Sequence, residues 1–210
     1  MPRPTVRVAG LYVLTAKIPG GSQALLKRVE EVLRGGAAIV QYRDKSGQPA
    51  RRRQEAESIA TLCREHGALF IVNDDPELAA AVDADGVHLG RDDMALEQAR
   101  RIVGARRLIG VSCYDSLERA RRAEAEGADY VAFGSVYPSA TKPAAVRAPL
   151  SLLTQAKREL QVPVVAIGGI DPDNAESVIA AGADAVAVIG SVFLADDPYQ
   201  AARRIAALFE

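Results

Sequence analysis

The chain contains no tryptophan, and only 5% of its 210 residues are aromatic. That leaves too few flat rings for a platform that stacks the successive bases of a single nucleic-acid strand. An excess of one charge is missing as well: 26 Lys and Arg face 27 Asp and Glu, a formal net charge of −1. No global field therefore draws the chain to nucleic acid or to a membrane surface. Cysteine is scarce. The pair Cys63 and Cys113 makes no disulfide framework, and each reads as a small hydrophobe. No segment approaches the length of a membrane span, and the opening MPRPTVRVAGLYVLTAK lacks the long apolar core of a signal peptide, so a cytoplasmic location is expected. Three catalytic signatures are absent too: the nucleophile elbow, the HExxH zinc helix and the P-loop lysine.

What is present is ordinary in bulk and ordered in detail. Hydrophobic residues make up 49% and charged residues 25%, and the length fits one domain spanning 1–210 with a substantial core. Eight short β-branched or apolar runs follow one another: GLYVLT, AAIVQY, ALFIVN, DGVHL, RLIGVS, DYVAFG, VPVVAIG and DAVAVIG. Stretches with apolar residues at helical spacing lie between most of them, among them Gln23–Arg34, Arg51–His66, Asp115–Glu126 and Pro198–Phe209. Such alternation predicts a parallel sheet with crossover helices. Gly36-Ala37-Ala38, Asp83-Ala84-Asp85, Gly127-Ala128-Asp129 and Gly182-Ala183-Asp184 each introduce a strand, once per double βα unit. Four double units without a linker favour a closed α/β architecture, a (β/α)8 barrel, over an open doubly wound sheet. The chain is short for a barrel, so its loops must be brief.

In a barrel the functional face is the C-terminal end of the strands. Ile39, Gln41 and Arg43 share one face of the second strand, with Lys45 continuing the polar side. An inward face that turns cationic suits a pocket for an anion. The other strand ends supply Asn73 and Asp74, then Gly90-Arg91-Asp92-Asp93, Ser112, Ser139-Ala140-Thr141-Lys142, Gly168-Gly169-Ile170 and Ile189-Gly190-Ser191. Gly168-Gly169, ahead of a helix starting near Pro172, and Gly190-Ser191, ahead of another turn, fall where barrels bind phosphate; either pair alone fits a tight turn equally well. Asp74 and Asp93 end adjacent strands. Taken singly, each reads as a turn or helix cap, but together with Arg43, Lys45 and Lys142 they suit a diphosphate bridged by Mg2+. His88 reads as a satisfied core histidine, His66 as a helix-end residue, and Arg51-Arg52-Arg53 as a solvated helix face.

QYRDK, FIVNDD, ADGVHLGRDD, IGVSCYD, GADYVAFGSVYPSATK, VPVVAIGGI and GADAVAVIG occur in order across nearly the whole chain. Together they resemble the thiamine-phosphate synthase family. The resemblance implies condensation of a pyrimidinylmethyl diphosphate with a carboxylated thiazole phosphate, giving thiamine phosphate, pyrophosphate and CO2. Diphosphate departure would be Mg-assisted and leave a pyrimidinylmethyl carbocation. It further implies that Gln41, Arg43, Lys45, Asn73, Ser112 and Lys142 hold the pyrimidine diphosphate, with Lys142, Arg43 and Ser112 as the catalytic set. Asp74 and Asp93 would bind Mg2+, and Ser139, Thr141, Gly169 and the Ile189-Gly190 backbone would hold the thiazole phosphate. The chain departs from the family pattern at Asp44 (usually Glu), Ser139 (usually Thr), Ala16 (usually Asp) and Gly190 (commonly Ser). Two alternatives remain at this level. One is a thiazole tautomerase-like isomerase on the same barrel, with His88 as its proton-transfer residue. The other is a non-catalytic phosphate-ligand binder. The expected partners are small molecules, with neither nucleic acid nor membrane; a homo-oligomer is compatible with the sequence, which sets no oligomeric state.

Overall fold

In the computed structural model, which describes residues 8–138 and 146–210, the eight runs become eight strands. They are β1 Gly10–Leu14, β2 Ile39–Tyr42, β3 Leu69–Asn73, β4 Gly86–Leu89, β5 Leu108–Tyr114, β6 Tyr130–Phe133, β7 Val164–Ile167 and β8 Ala185–Val188. All pair in parallel in sequence order, and β1 pairs with β8, so the barrel closes. The helices that cover it are α1 Gly21–Arg34, α2 Pro49–Glu65, α3 Pro76–Ala81, α4 Leu96–Val103, α5 Leu117–Ala125, α6 Leu150–Glu159, α7 Ala175–Ala180, α8 Gly190–Phe193 and α9 Pro198–Ala206.

Strand alternation splits the core in two. Val13, Val40, Tyr42, Phe70, Val72, Val87, Val131 and Val186 face the helices, which is why these strands read as continuous apolar runs. Tyr12, Leu14, Ile39, Ile71, Tyr130, Ala132, Val165, Ala185 and Ala187 fill the barrel itself. Gln41 follows Ile39 by two residues and is buried on the same inner face, as its parity requires. Tyr42, one residue on, points outward and donates its hydroxyl to Glu55 Oε2 at 2.6 Å.

The aspartate that closes Asp83-Ala84-Asp85, Gly127-Ala128-Asp129 and Gly182-Ala183-Asp184 has a structural purpose at the opposite end of the barrel. Asp85 Oδ2 accepts the Phe70 N–H at 2.8 Å, Asp129 Oδ2 that of Ile109 at 2.8 Å, and Asp184 Oδ2 that of Val164 at 2.9 Å. Each carboxylate satisfies a strand N–H at the edge, where the ladder has run out. Asp129 also pairs with Arg100. Replacing Asp129 with alanine orphans the Ile109 donor and takes from Arg100 its carboxylate, leaving the guanidinium on the Gly104, Arg107 and Gly127 carbonyls; the expected cost is about 2–3 kcal/mol. It should appear as a lower urea midpoint with an unchanged denaturant slope.

Several local expectations are corrected. The helix after Gly168-Gly169 begins at Ala175 rather than near Pro172, because Asp171 Oδ1 accepts the N–H groups of Asp173 and Asn174 and holds a turn first. Gly190-Ser191 does not precede a turn but opens α8. Arg51-Arg52-Arg53 is not a uniformly solvated face: Arg51 pairs with Asp44 and Arg52 with Asp75, tying α2 to the loops after β2 and β3, while Arg53 pairs with Glu57 along its own helix. Cys63 and Cys113 are both buried and free, and burial pushes each thiol up to about 12.

Candidate active site at the C-terminal mouth of the barrel

Gln41, Asn73, His88 and Ser112 occupy inward positions on β2 to β5, and Arg43 and Lys45 leave β2 at the rim. Arg43 is half-buried and fixed through its backbone N–H, which donates to Thr15 Oγ1 at 2.9 Å. Lys45 is exposed and places Nζ 3.6 Å from Asp74 Oδ2.

The helix-cap reading of Asp74 fails for a local reason. Asp75, not Asp74, caps α3, accepting the Leu78 N–H at 2.9 Å. Asp74 instead adopts a left-handed backbone (φ 63°), and its carboxylate meets Lys45 and Asp93. Asp93 likewise caps no helix, since α4 begins three residues later at Leu96; its Oδ2 accepts the Gly90 N–H at 2.6 Å. The two carboxyl groups meet. Burial, then a hydrogen bond and the charge of Asp93, hold the Asp74 carboxyl above its usual range, against the opposing pull of Lys45 and the Asn73 amide.

Among the described residues no third His, Cys, Asp or Glu completes a metal cage. Two adjoining carboxylates without soft ligands nevertheless fit Mg2+, which keeps several waters and takes substrate phosphate oxygens as its remaining ligands.

Deeper in the barrel a polar chain crosses from β2 to β5. Gln41 Nε2 donates to the Tyr12 hydroxyl at 2.7 Å, and the Tyr12 and Tyr130 hydroxyls lie 2.9 Å apart. His88 Nδ1 lies 3.1 Å from the Tyr130 hydroxyl and Nε2 2.9 Å from Ser112 Oγ. Burial lowers the His88 imidazole to about 4. The core reading of His88 holds in that both ring nitrogens are engaged. Sequence reasoning missed the two tyrosines. Their inward parity was readable, but residues 118 apart meet only once the barrel closes.

At the far side of the mouth, Gly168 (φ 102°) and Gly169 (φ 67°) take conformations that suit glycine. A Cβ on Gly169 would stand 2.4 Å from the Pro138 carbonyl oxygen. Ile189 is the residue before α8, so the backbone N–H groups of Gly190 and Ser191 open a helix facing this loop. The Ser191 hydroxyl is already committed, donating to the Ile170 carbonyl at 2.6 Å. Ser139, Thr141 and Lys142 lie outside the described residues.

Comparison with known proteins decides the family. The profile described as thiamine monophosphate synthase matches residues 11–192. The chain belongs to the thiamine monophosphate synthase family. A thiamine-phosphate synthase of Thioalkalivibrio sulfidiphilus is 57% identical, with 97% of each chain covered, and one of Halorhodospira halophila is 55% identical over 97% of this chain and 96% of its own. The solved structure of a thiamine phosphate pyrophosphorylase from Pyrococcus furiosus superposes with a TM-score of 0.87 at 39% identity, covering 96% of this chain and 95% of its own. A 3-hexulose-6-phosphate synthase at 20% identity and TM-score 0.67 shares the barrel fold alone. Both alternatives weighed from sequence lose ground. The relatives carry the synthase name over nearly the full length, and His88, the isomerase's proton-transfer candidate, has each nitrogen in a hydrogen bond.

Proposed function

We propose that the chain condenses 4-amino-2-methyl-5-(diphosphooxymethyl)pyrimidine with carboxythiazole phosphate, giving thiamine phosphate, pyrophosphate and CO2. The observation that carries this reading, beside family membership, is the meeting of Asp74 and Asp93 next to Lys45 at the rim where Gln41, Arg43 and Ser112 converge.

Breaking the carbon–oxygen bond of the pyrimidine diphosphate leaves a pyrimidinylmethyl cation and puts negative charge on the departing group. Residues that stabilise that charge are what the reaction requires; a strong base is not. Arg43, Lys45 and Lys142 supply fixed positive charge to the diphosphate. Gln41, Asn73 and Ser112 orient the pyrimidine half. Asp74 and Asp93 would hold Mg2+, which would supply further charge neutralisation to the diphosphate. Gly169, the Ile189-Gly190 backbone, Ser139 and Thr141 hold the thiazole phosphate. That contact sets the thiazole nitrogen against the cationic carbon, a positioning effect that replaces an encounter from solution. His88 is neutral and hydrogen-bonded on both nitrogens, which suits a mechanism without side-chain proton transfer.

Pyrophosphate and thiamine phosphate should appear only when both substrates and Mg2+ are present. Absence of product under those conditions would refute the activity, and undiminished turnover in excess chelator would refute the metal role.

Gly190 offers a separate check. Among the described residues a Cβ there meets nothing within 4 Å, so Gly190→Ser should fold with stability within about 0.5 kcal/mol of the parent. The added hydroxyl restores a donor at the thiazole phosphate that the committed Ser191 does not provide. Steady-state kinetics should show KM for the thiazole phosphate lowered by about fivefold, with the other KM unchanged.

A further inference from the structure

We propose that Tyr12, Tyr130 and His88 are positioning residues that give the site a fixed hydrogen-bond polarity, making Gln41 an acceptor and Ser112 a donor toward the substrate. The identity of that substrate rests on the synthase reading; the polarity does not.

The direction follows from counting protons along the chain. An amide nitrogen only donates, so at 2.7 Å Gln41 Nε2 makes the Tyr12 oxygen an acceptor. The Tyr12 proton then goes to its other partner, the Tyr130 oxygen at 2.9 Å. Tyr130, having accepted, points its own proton at His88 Nδ1, 3.1 Å away. Nδ1 is therefore bare, and the imidazole carries its proton on Nε2, which donates to Ser112 Oγ at 2.9 Å. The Ser112 proton is left to point off the network. Running the chain backwards would require Gln41 to offer its carbonyl oxygen to Tyr12. In the orientation found, the amide nitrogen occupies that place, and Oε1 faces away from Tyr12, buried and with no hydrogen-bond partner among the described residues.

The packing holds this arrangement rigid. An ideal Cβ at Gly110 would lie 2.0 to 2.4 Å from three atoms of the Tyr130 ring, so the inward glycine of β5 is what lets that ring cross the barrel. His88 stacks on the same ring with centroids 5.6 Å apart, and Tyr12 meets it edge-on at 6.2 Å. Five side chains from five strands are locked by one another, which is how a site keeps its geometry before substrate arrives.

The chain does not close on itself as a merely satisfied core network would. Among the described residues it ends in two unused capacities, the Gln41 Oε1 acceptor and the Ser112 hydroxyl proton. A buried acceptor without a partner is costly until a ligand N–H reaches it. An amino-substituted pyrimidine bearing a diphosphate matches both ends: its exocyclic amino group donates to Gln41, and its ring nitrogens and phosphate oxygens only accept, as Ser112 requires.

Long-range proton–nitrogen NMR on 15N-histidine protein tests this directly. The chain has two histidines, so a His66→Gln variant isolates the His88 signals. The expected spectrum at neutral pH is that of the Nε2–H tautomer. An Nδ1–H tautomer or an imidazolium overturns the inference. Tyr12→Phe should remove the fixed direction, mix the tautomers and raise KM for the pyrimidine diphosphate about tenfold, with KM for the thiazole phosphate unchanged. A purely structural role would lower the melting temperature and leave the tautomer alone, and that result also overturns it. Should Tyr12→Phe not fold, the parent spectrum decides by itself. Because the spectrum needs no turnover, the two readings fail separately: the wrong tautomer with intact synthesis sinks only the polarity, and the right tautomer without product sinks only the synthase.

Discussion

Asp93→Asn is expected to lower turnover about 100- to 1,000-fold while leaving the fold intact, measured at saturating substrates and Mg2+. The fold survives because the asparagine carbonyl still accepts the Gly90 N–H that Asp93 Oδ2 now takes at 2.6 Å. What is lost is the second negative charge beside Asp74, and with it half of the proposed carboxylate pair. A pH signature accompanies the loss. Burial and Asp93 raise the Asp74 carboxyl above its ordinary 3.8, so the folded state binds this proton more tightly than the unfolded chain does. Stability from this group is complete below 3.8 and is lost as pH climbs through the raised folded value. In the metal-free parent, melting temperature should fall across that window relative to Asp93→Asn, in which the carboxyls with lowered values, Asp44 and Glu159, titrate as they do in the parent. Asp93→Asn removes the hydrogen bond and the charge that act after burial, and should flatten the decline. Stabilisation by Mg2+ runs the other way, growing as pH rises, because the ion needs both carboxylates ionised. A parent profile that runs parallel to that of Asp93→Asn through this window without Mg2+ would contradict the shared-site geometry.

Gly169→Ala should have the second-largest effect, on the other half of the mouth. At φ 67° an alanine is strained, and its Cβ would stand 2.4 Å from the Pro138 oxygen and 2.7 Å from Tyr137 Cβ. Two of the three nearest atoms are backbone, so the loop must shift as a whole. Strain and overpacking together should cost about 3 kcal/mol, a fall of roughly 6–12 °C in melting temperature. The same shift displaces the proposed phosphate cradle, and KM for the thiazole phosphate should rise at least about tenfold, leaving the affinity for pyrimidine diphosphate near that of the parent. Gly190→Ser, on the facing helix, is the matched control for stability, since a Cβ there meets none of the described residues within 4 Å.

The barrel was legible because two signals of different origin agreed. Continuous apolar runs marked the strands, and the tripeptides introducing every second strand marked the double units; the structure gives Asp85, Asp129 and Asp184, which close three of those four tripeptides, the same hydrogen bond at the same edge. The parity of Ile39, Gln41 and Arg43 likewise placed the polar end of β2 inside before any coordinates, since a two-residue period leaves no other choice. Other features depend on information that sequence spacing does not hold. Tyr12 and Tyr130 looked like core residues, and only barrel closure brings their hydroxyls within 2.9 Å. The four-residue α8 is too short to show a helical period. Arg51 and Arg52 resembled a solvated run because their partners, Asp44 and Asp75, arrive from loops whose course the sequence does not specify. Asp74 and Asp75 are neighbours in an apparent cap motif, and the left-handed turn at Asp74 is what divides their tasks.

The most direct test is calorimetric titration of the pyrimidine diphosphate into parent protein and Asp93→Asn, each with Mg2+ and with chelator. If Asp74 and Asp93 grip one ion that also holds the diphosphate, Mg2+ should tighten binding to the parent about 30-fold and leave the variant nearly unchanged. Equal affinity of the parent in chelator, or a variant that responds to Mg2+ as fully as the parent, would contradict it.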